Sequence, residues 1–359
     1  MQGGVVALRS VCMALALFAA SFWLEAAANA AALSERNLDE TMIAQARGGR
    51  DGHLTIDSSI RDLLRHSAFA GFGRLILPWD DRAYDESLRL STIGALLPYH
   101  SHVNPGDVVT ALNRMIDEAR KGKTVFYEFY NEAQKQQQPA RKNTGLFFYR
   151  GNPGAPFAVI SPGGGFAYVG SVHEGFPYAA AISQKGYNAF VLRYRAGQGE
   201  AIATQDLAAA ISYIVRNAER LGVSTDGYSV WGNSAGARMA AAIGSHGVAT
   251  FGGDALPKPA AVVMAYTGHS DYASDEPPTF VVVGEQDSIA PPSAMERRIA
   301  VLRHAGTEVE YHKYKNLGHG FGLGTGTSAE GWIDDAIRFW EKSTKKRNFT
   351  IDVAPLKSK

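Results

Sequence analysis

From Phe157 onward the chain alternates two textures. Short apolar runs with strand character are separated by longer segments whose apolar residues recur at helical spacing. The strand runs are "FAVISPGGG", which ends in the glycines at 163–165, "NAFVLRYR" (188–195), "YSVWG" (228–232), "AAVVMAY" (260–266), "TFVVVG" (279–284) and "EVEYHKY" (308–314). Helical stretches lie at 178–187, 203–222, after Ser234, at 291–306 and at 328–343. Apolar strands joined through helices imply parallel pairing, with helices covering both faces of the sheet. Two earlier strands, 123–130 and 144–151, flank a polar connection and are expected to pair antiparallel. The fold class is therefore α/β, a mostly parallel sheet with helices on both faces. Ligands bind such sheets at the carboxyl ends of the strands, so residues just beyond each strand are where chemistry belongs.

Three strand ends carry it. Gly232-Asn233-Ser234-Ala235-Gly236 is G-x-S-x-G with a strand before it and a helix after it. So sharp a turn holds the serine hydroxyl above the sheet, at a helix N-terminus that favours developing negative charge. Pro162-Gly163-Gly164-Gly165-Phe166 follows an earlier strand. Its glycines let backbone N–H groups turn towards a reacting oxygen. The amides of Gly164, Gly165 and Ala235 are the expected oxyanion hole. A phosphate cradle is disfavoured, because Tyr168 occupies the last glycine position of G-x-G-x-x-G and no Walker lysine follows. A serine nucleophile needs a base, and the base needs an orienting acid. His319, in "NLGHGFGLG", follows the last strand and is the expected base. Asp287, in "GEQDSIAPP", is the expected acid, with Glu285 and Asp271 as competitors. The other histidines are read as structural. Tyr99–His102, "YHSH", offers two imidazoles but has no third ligand cluster near it, so no metal site is expected.

Composition narrows the setting. A net charge of +1 over 359 residues gives no reason to expect a nucleic-acid partner. Residues 11–24 form an apolar run short for a bilayer span, and Ala28-Asn29-Ala30 reads as a cleavage site. Residues 1–30 are thus expected to be a signal peptide, and the protein periplasmic or secreted, with no stable membrane span after cleavage. The single cysteine, Cys12, lies inside that run, so the mature chain has neither disulfide nor thiol nucleophile. Residues 31–122 read as a mainly helical extension packed on the main domain. Within it Val108, Leu112, Met115, Ile116 and Ala119 share one helix face. The catalytic domain is taken as 123–345 and the C-terminal tail as 346–359.

Residues 144–342 resemble the α/β-hydrolase fold, in particular the acetyl-xylan-esterase and hormone-sensitive-lipase-like carboxylesterase group. The stretches that carry the likeness are "SPGGGF", "GYNAFVLRYR", "QDLAAAISYI", "GNSAGARMA", "PPTFVVVGEQDSIAP" and "GHGFGLG" with "AEGWIDDAIRFWEK". The resemblance implies a serine esterase without a cofactor, acting through Ser234, Asp287 and His319 on a small-molecule or carbohydrate ester. Two positions depart from the lipase-like branch: Pro162 stands where histidine is usual, and Asn233 where aspartate is usual. The proline form is similar to bacterial esterases that remove acetyl or feruloyl groups from polysaccharides. Only residues 267–278 separate two late strands, so no large lid fits there. A lipase or serine peptidase on the same fold is the neighbouring reading. A non-catalytic binding protein is the reading from another class. The sequence does not set the oligomeric state.

Overall fold

The computed structural model describes residues 51–353, with side chains to 346. The expected signal peptide lies outside the described residues, as do the first part of the N-terminal extension and the last residues of the tail.

The strands are β1 (Phe126–Tyr127), β2 (Gly145–Tyr149), β3 (Pro156–Ser161), β4 (Asn188–Arg193), β5 (Ser224–Asn233), β6 (Ala261–Ala265), β7 (Thr279–Gly284) and β8 (Val309–Tyr314). They form one sheet in the order β1-β2-β4-β3-β5-β6-β7-β8. Pairing is antiparallel from β1 to β2 and from β2 to β4, and parallel from β4 through to β8.

The period of two along each strand sends alternate residues to opposite faces. Ile160, Val191, Trp231, Val263 and Val282 enter one core. Their neighbours Val159, Phe190, Val230, Val262 and Val281 enter the other. Burial on both faces is why these strands read as continuous apolar runs. The helices are α1 (Ile60–Arg65), α2 (Pro105–Arg120), α3 (Phe176–Gln184), α4 (Gly199–Arg216), α5 (Ala235–His246), α6 (Pro292–His304) and α7 (Trp332–Val353), with shorter helical turns between them. Residues of α4, α5 and α6 cover the second core. Residues of α1, α2, α3 and α7 cover the first.

The segment before β1 thus shares a core with the sheet. Asn104 caps α2 by accepting the Gly106 amide, Pro105 starts it, and the apolar face meets Phe147 and Phe176 in that core. Arg193, fully buried at the end of β4, ties the same segment down. It donates to the carbonyls of Leu77 (3.0 Å) and Pro78 (3.1 Å) and pairs with Asp80.

Three of the element bounds that differ from the sequence reading have a clear physical reason. The strand expected over 123–130 pairs only at Phe126–Tyr127. The Phe126 ring lies over Gly145, where a Cβ would come within 2.1 Å of it. Beyond that point Glu128 turns to Lys135 (2.7 Å), and the connection forms a turn of helix over Glu132–Gln137, capped by Asn131. The helix expected over 203–222 breaks at Asn217 and resumes for one turn that Gly222 ends at φ 69°. At the C-terminus, α7 continues to Val353, into the segment taken as tail. Lys342 (2.9 Å) and Lys346 (2.7 Å) both reach Glu308 and anchor this extension to the start of β8.

Candidate active site

β5 ends at Asn233 and α5 begins at Ala235, so Ser234 makes the whole turn. Its backbone sits at φ 50°, ψ −114°, a region that costs an L residue about 1–3 kcal/mol. The Ser234 amide donates to the Ala265 carbonyl (2.9 Å), which fixes the turn against β6. The flanking glycines are required by space. A Cβ on Gly232 would lie 2.2 Å from the Gly236 carbonyl oxygen, and one on Gly236 would lie 1.9 Å from that of Ser161.

His319 and Asp287 meet this hydroxyl in series. Ser234 Oγ is 2.8 Å from His319 Nε2, and His319 Nδ1 is 2.8 Å from Asp287 Oδ2. A carboxylate only accepts, so Nδ1 carries the ring proton and Nε2 presents its lone pair to the serine. The other Asp287 oxygen accepts the amides of Ile289 (2.9 Å) and Ala290 (2.7 Å), which locks the carboxylate plane. The competing acids stand elsewhere: Glu285 is exposed, and Asp271 pairs with His246 at 2.7 Å. The histidine loop needs its glycines as well. Gly320 and Gly322 have positive φ, and a Cβ on Gly322 would lie 2.3 Å from the His173 ring.

The glycine loop after β3 lies against the serine turn, since a Cβ on Gly163 would come within 2.9 Å of Ser234 Cβ. Gly163 spends its amide on Glu174 Oε2 (2.6 Å). Among the described residues no hydrogen bond uses the amides of Gly164 or Gly165, or that of Ala235 at the first turn of α5. These are the three amides expected from the sequence to hold an oxyanion.

Glu174 had no functional reading in the sequence. It sits in a turn of π-helix at Ser171–Gly175 and is wholly buried. Burial alone would raise its pKa, but the His100 imidazole 3.0 Å away, with help from His173 and the Tyr266 hydroxyl, holds it down at about 2. Tyr266 donates to Glu174 Oε1 (2.8 Å) and accepts from Asn233 Nδ2 (3.0 Å), and its ring packs edge-on against His319 at 5.2 Å. The "YHSH" imidazoles are not paired on a ligand. His100 is committed to Glu174 and to the Tyr168 hydroxyl (2.8 Å), whereas His102 bonds Ser101. Among the described residues no group of three or more His, Cys, Asp and Glu side chains is arranged to hold a metal.

The segment before β1 also borders the site. Ser101 donates through Oγ to the His319 carbonyl (2.7 Å) and through its amide to that of Gly320 (3.0 Å). Tyr99 is exposed and stacks on Tyr168 at 5.7 Å, with its ring edge 3.1 Å from the Cβ position of Gly165.

The BD-FAE family model matches residues 150–256, and the Prolyl oligopeptidase family model matches residues 259–347. Among solved structures, an acetyl ester-xyloside bifunctional hydrolase from Caldicellulosiruptor lactoaceticus is similar at 20% identity, over 62% of this chain and 96% of that one, with a TM-score of 0.52. A sugar hydrolase from Lactococcus lactis is 20% identical over 56% of this chain and 95% of its own, with a TM-score of 0.50. An α/β-hydrolase enzyme from a Medee basin deep-sea metagenome library is 27% identical over 56% of this chain and 93% of its own, with a TM-score of 0.49. No curated protein matches. The chain has the α/β-hydrolase fold.

What the sequence reading missed is the polar cluster of Glu174, Tyr266, Tyr178 and Asn233 against the serine turn. A signal was present. Glu174 is a charged residue between "GSVH" and the apolar helix start "GFPYAAAI", where an unpaired carboxylate would be costly to bury.

Proposed function

We propose that this α/β-hydrolase is an exported serine carboxylesterase that removes short acyl groups, acetyl-like in size, from carbohydrate esters. The observation that carries the reading is the unbroken series from Ser234 Oγ to His319 to Asp287, next to loops in which the amides of Gly164, Gly165 and Ala235 make no hydrogen bond among the described residues. In the first step His319 Nε2 takes the serine proton as Oγ attacks the ester carbonyl. The carbonyl oxygen gains charge and is held by the amides of Gly164, Gly165 and Ala235. Each such donor contributes about 3 kcal/mol when it is aimed at the transition-state oxygen. Asp287 stabilises the imidazolium. His319 then gives its proton to the leaving alcohol, and water enters by the same route to release the acid and free the serine.

Several features favour a small acyl group and a sugar alcohol. The link from β6 to β7 carries no helix or strand that could form a lid. The neighbour from Caldicellulosiruptor lactoaceticus is described as an acetyl ester-xyloside hydrolase. Export rests on the apolar run at 11–24 and its Ala28-Asn29-Ala30 ending. Among the described residues no helix is long and apolar enough to cross a membrane.

The test is a series of p-nitrophenyl esters of graded chain length, with acetylated xylan and feruloyl sugars beside them. The expected result is fastest turnover of acetate and release of acetate from the polymer, with Ser234→Ala reducing kcat by at least ~10^4-fold. A Ser234→Ala variant as fast as the wild type refutes the mechanism. A preference for long acyl chains would make the protein a lipase instead.

A further inference from the structure

We propose that Glu174 is a positioning residue for acyl transfer: its buried carboxylate fixes the oxyanion loop at Gly163 and, through Tyr266, ties that loop to the serine turn and to the ring beside His319. The inference rests on the serine-hydrolase reading above and adds a residue that touches neither substrate nor the reacting atoms.

The geometry centres on one side chain. Oε2 accepts the Gly163 amide at 2.6 Å, one residue before the two glycines proposed above to hold the oxyanion. Oε1 accepts the Tyr266 hydroxyl at 2.8 Å and has the His100 ring nitrogen 3.0 Å away. Tyr266 in turn accepts from Asn233, the residue before the nucleophile, and packs on His319. His100 belongs to the same loop as Ser101, which holds the His319 and Gly320 carbonyls. One carboxylate is therefore linked, directly or through a single residue, to all three loops that must converge.

Two further observations show that these loops need holding. Phe166, Ser234 and Tyr266 all have positive φ without being glycine, so the glycine loop, the serine turn and the end of β6 each store backbone strain. Gly164 and Gly165 have no Cβ to wedge them in place, and among the described residues their amides make no hydrogen bond. Such a loop keeps its donors aimed only if a neighbouring residue anchors it. The Gly163 and Gly164 carbonyls accept the amides of Gly170, Ala167 and Tyr168, and Glu174 adds the charged anchor on the amide side of Gly163; charge-assisted bonds of this kind are about twice as strong as neutral ones. A donor displaced by about 1 Å loses much of its value in the transition state.

The experiment compares Glu174→Ala, Glu174→Gln and Tyr266→Phe with the wild type, all checked by chemical denaturation. Two activities are read. One is kcat and KM for p-nitrophenyl acetate. The other is the rate of labelling by a fluorophosphonate, in which Ser234 Oγ bonds to phosphorus, fluoride leaves and His319 takes the serine proton. In Glu174→Ala both kcat and the labelling rate should fall ~10^2-fold, the loss of one oxyanion donor, with KM changed less than about threefold. Glu174→Gln keeps an oxygen for the Gly163 amide and should recover at least a tenth of wild-type kcat. Tyr266→Phe leaves the Gly163–Glu174 bond in place but removes the hydroxyl's bonds to Glu174, Asn233 and Tyr178, and should lose several-fold in kcat. If Glu174→Ala does not fold, the other two variants carry the same test. Folded variants with wild-type kcat and labelling rate overturn the positioning role, and so does a loss seen only in stability. If the wild type itself hydrolyses no ester and resists the fluorophosphonate, the serine-hydrolase reading fails instead.

Discussion

Asp287→Asn probes the proposed mechanism with one atom. The change keeps size and shape, but the outcome depends on which way the amide turns. Two backbone amides, from Ile289 and Ala290, point at Asp287 Oδ1 from 2.9 and 2.7 Å. In the variant the side-chain oxygen stays with those donors. Turning it over would face an NH2 group against two N–H groups in a buried place, costing about 1–3 kcal/mol for each orphaned donor. The NH2 is therefore presented to His319 Nδ1, which must become an acceptor. The ring proton moves to Nε2, and an Nε2–H cannot take the proton of Ser234. The expected loss in kcat is ~10^3–10^4-fold, or about 4–5.5 kcal/mol of barrier, with KM nearly unchanged. The assay is steady-state hydrolysis of p-nitrophenyl acetate, with circular dichroism and denaturation to show that the fold is intact. A folded Asp287→Asn enzyme retaining more than a tenth of wild-type kcat would refute the reasoning, because the ring could then be oriented without the carboxylate.

Other expectations follow from packing and charge. Gly236→Ala places a Cβ 1.9 Å from a backbone oxygen of β3, which cannot swing away, so stability should fall by about 3 kcal/mol in urea denaturation together with a loss of kcat. Burial, then the neighbouring His100 ring, holds His173 down at about 4. As pH falls below 6.5 the unfolded chain takes up that proton first. The stability contribution is therefore complete above pH 6.5 and is lost progressively down to about pH 4, by about 1.4 kcal/mol per pH unit at most. The difference in unfolding free energy between wild type and His173→Gln should thus narrow by about 2 kcal/mol from pH 7 to pH 5, and an unchanged difference would contradict it. His269, held at about 4 chiefly by burial, adds to acid sensitivity in the same window. Glu174 adds to it below pH 4.5, since its carboxylate resists protonation down to about 2.

The strands and their mostly parallel pairing, though not their order, were legible in the sequence because burial on both faces writes itself as uninterrupted apolar runs, as in "FVVV" of β7. The serine turn was legible for a local reason too. A strand, a one-residue turn and a helix leave no space for side chains at 232 and 236, and glycine records that directly. Asp287 and His319 could be named from their places after β7 and β8, but only coordinates could separate Asp287 from Glu285 and Asp271. That choice depends on which carboxylate points across the strand ends at an imidazole 32 residues away in sequence.

The sequence by itself determined the strand and helix order, the glycine-bound serine and the short list of polar residues beyond the strands, because each is set by neighbours within one element. The tertiary structure alone decided that Glu174, His100 and Tyr266 lie together beneath the reacting groups, and that the segment before β1 clamps the histidine loop through Ser101. Those contacts join residues 74 to 218 positions apart. No local spacing encodes them, since a buried polar group is satisfied by whichever partner the folded chain brings to it.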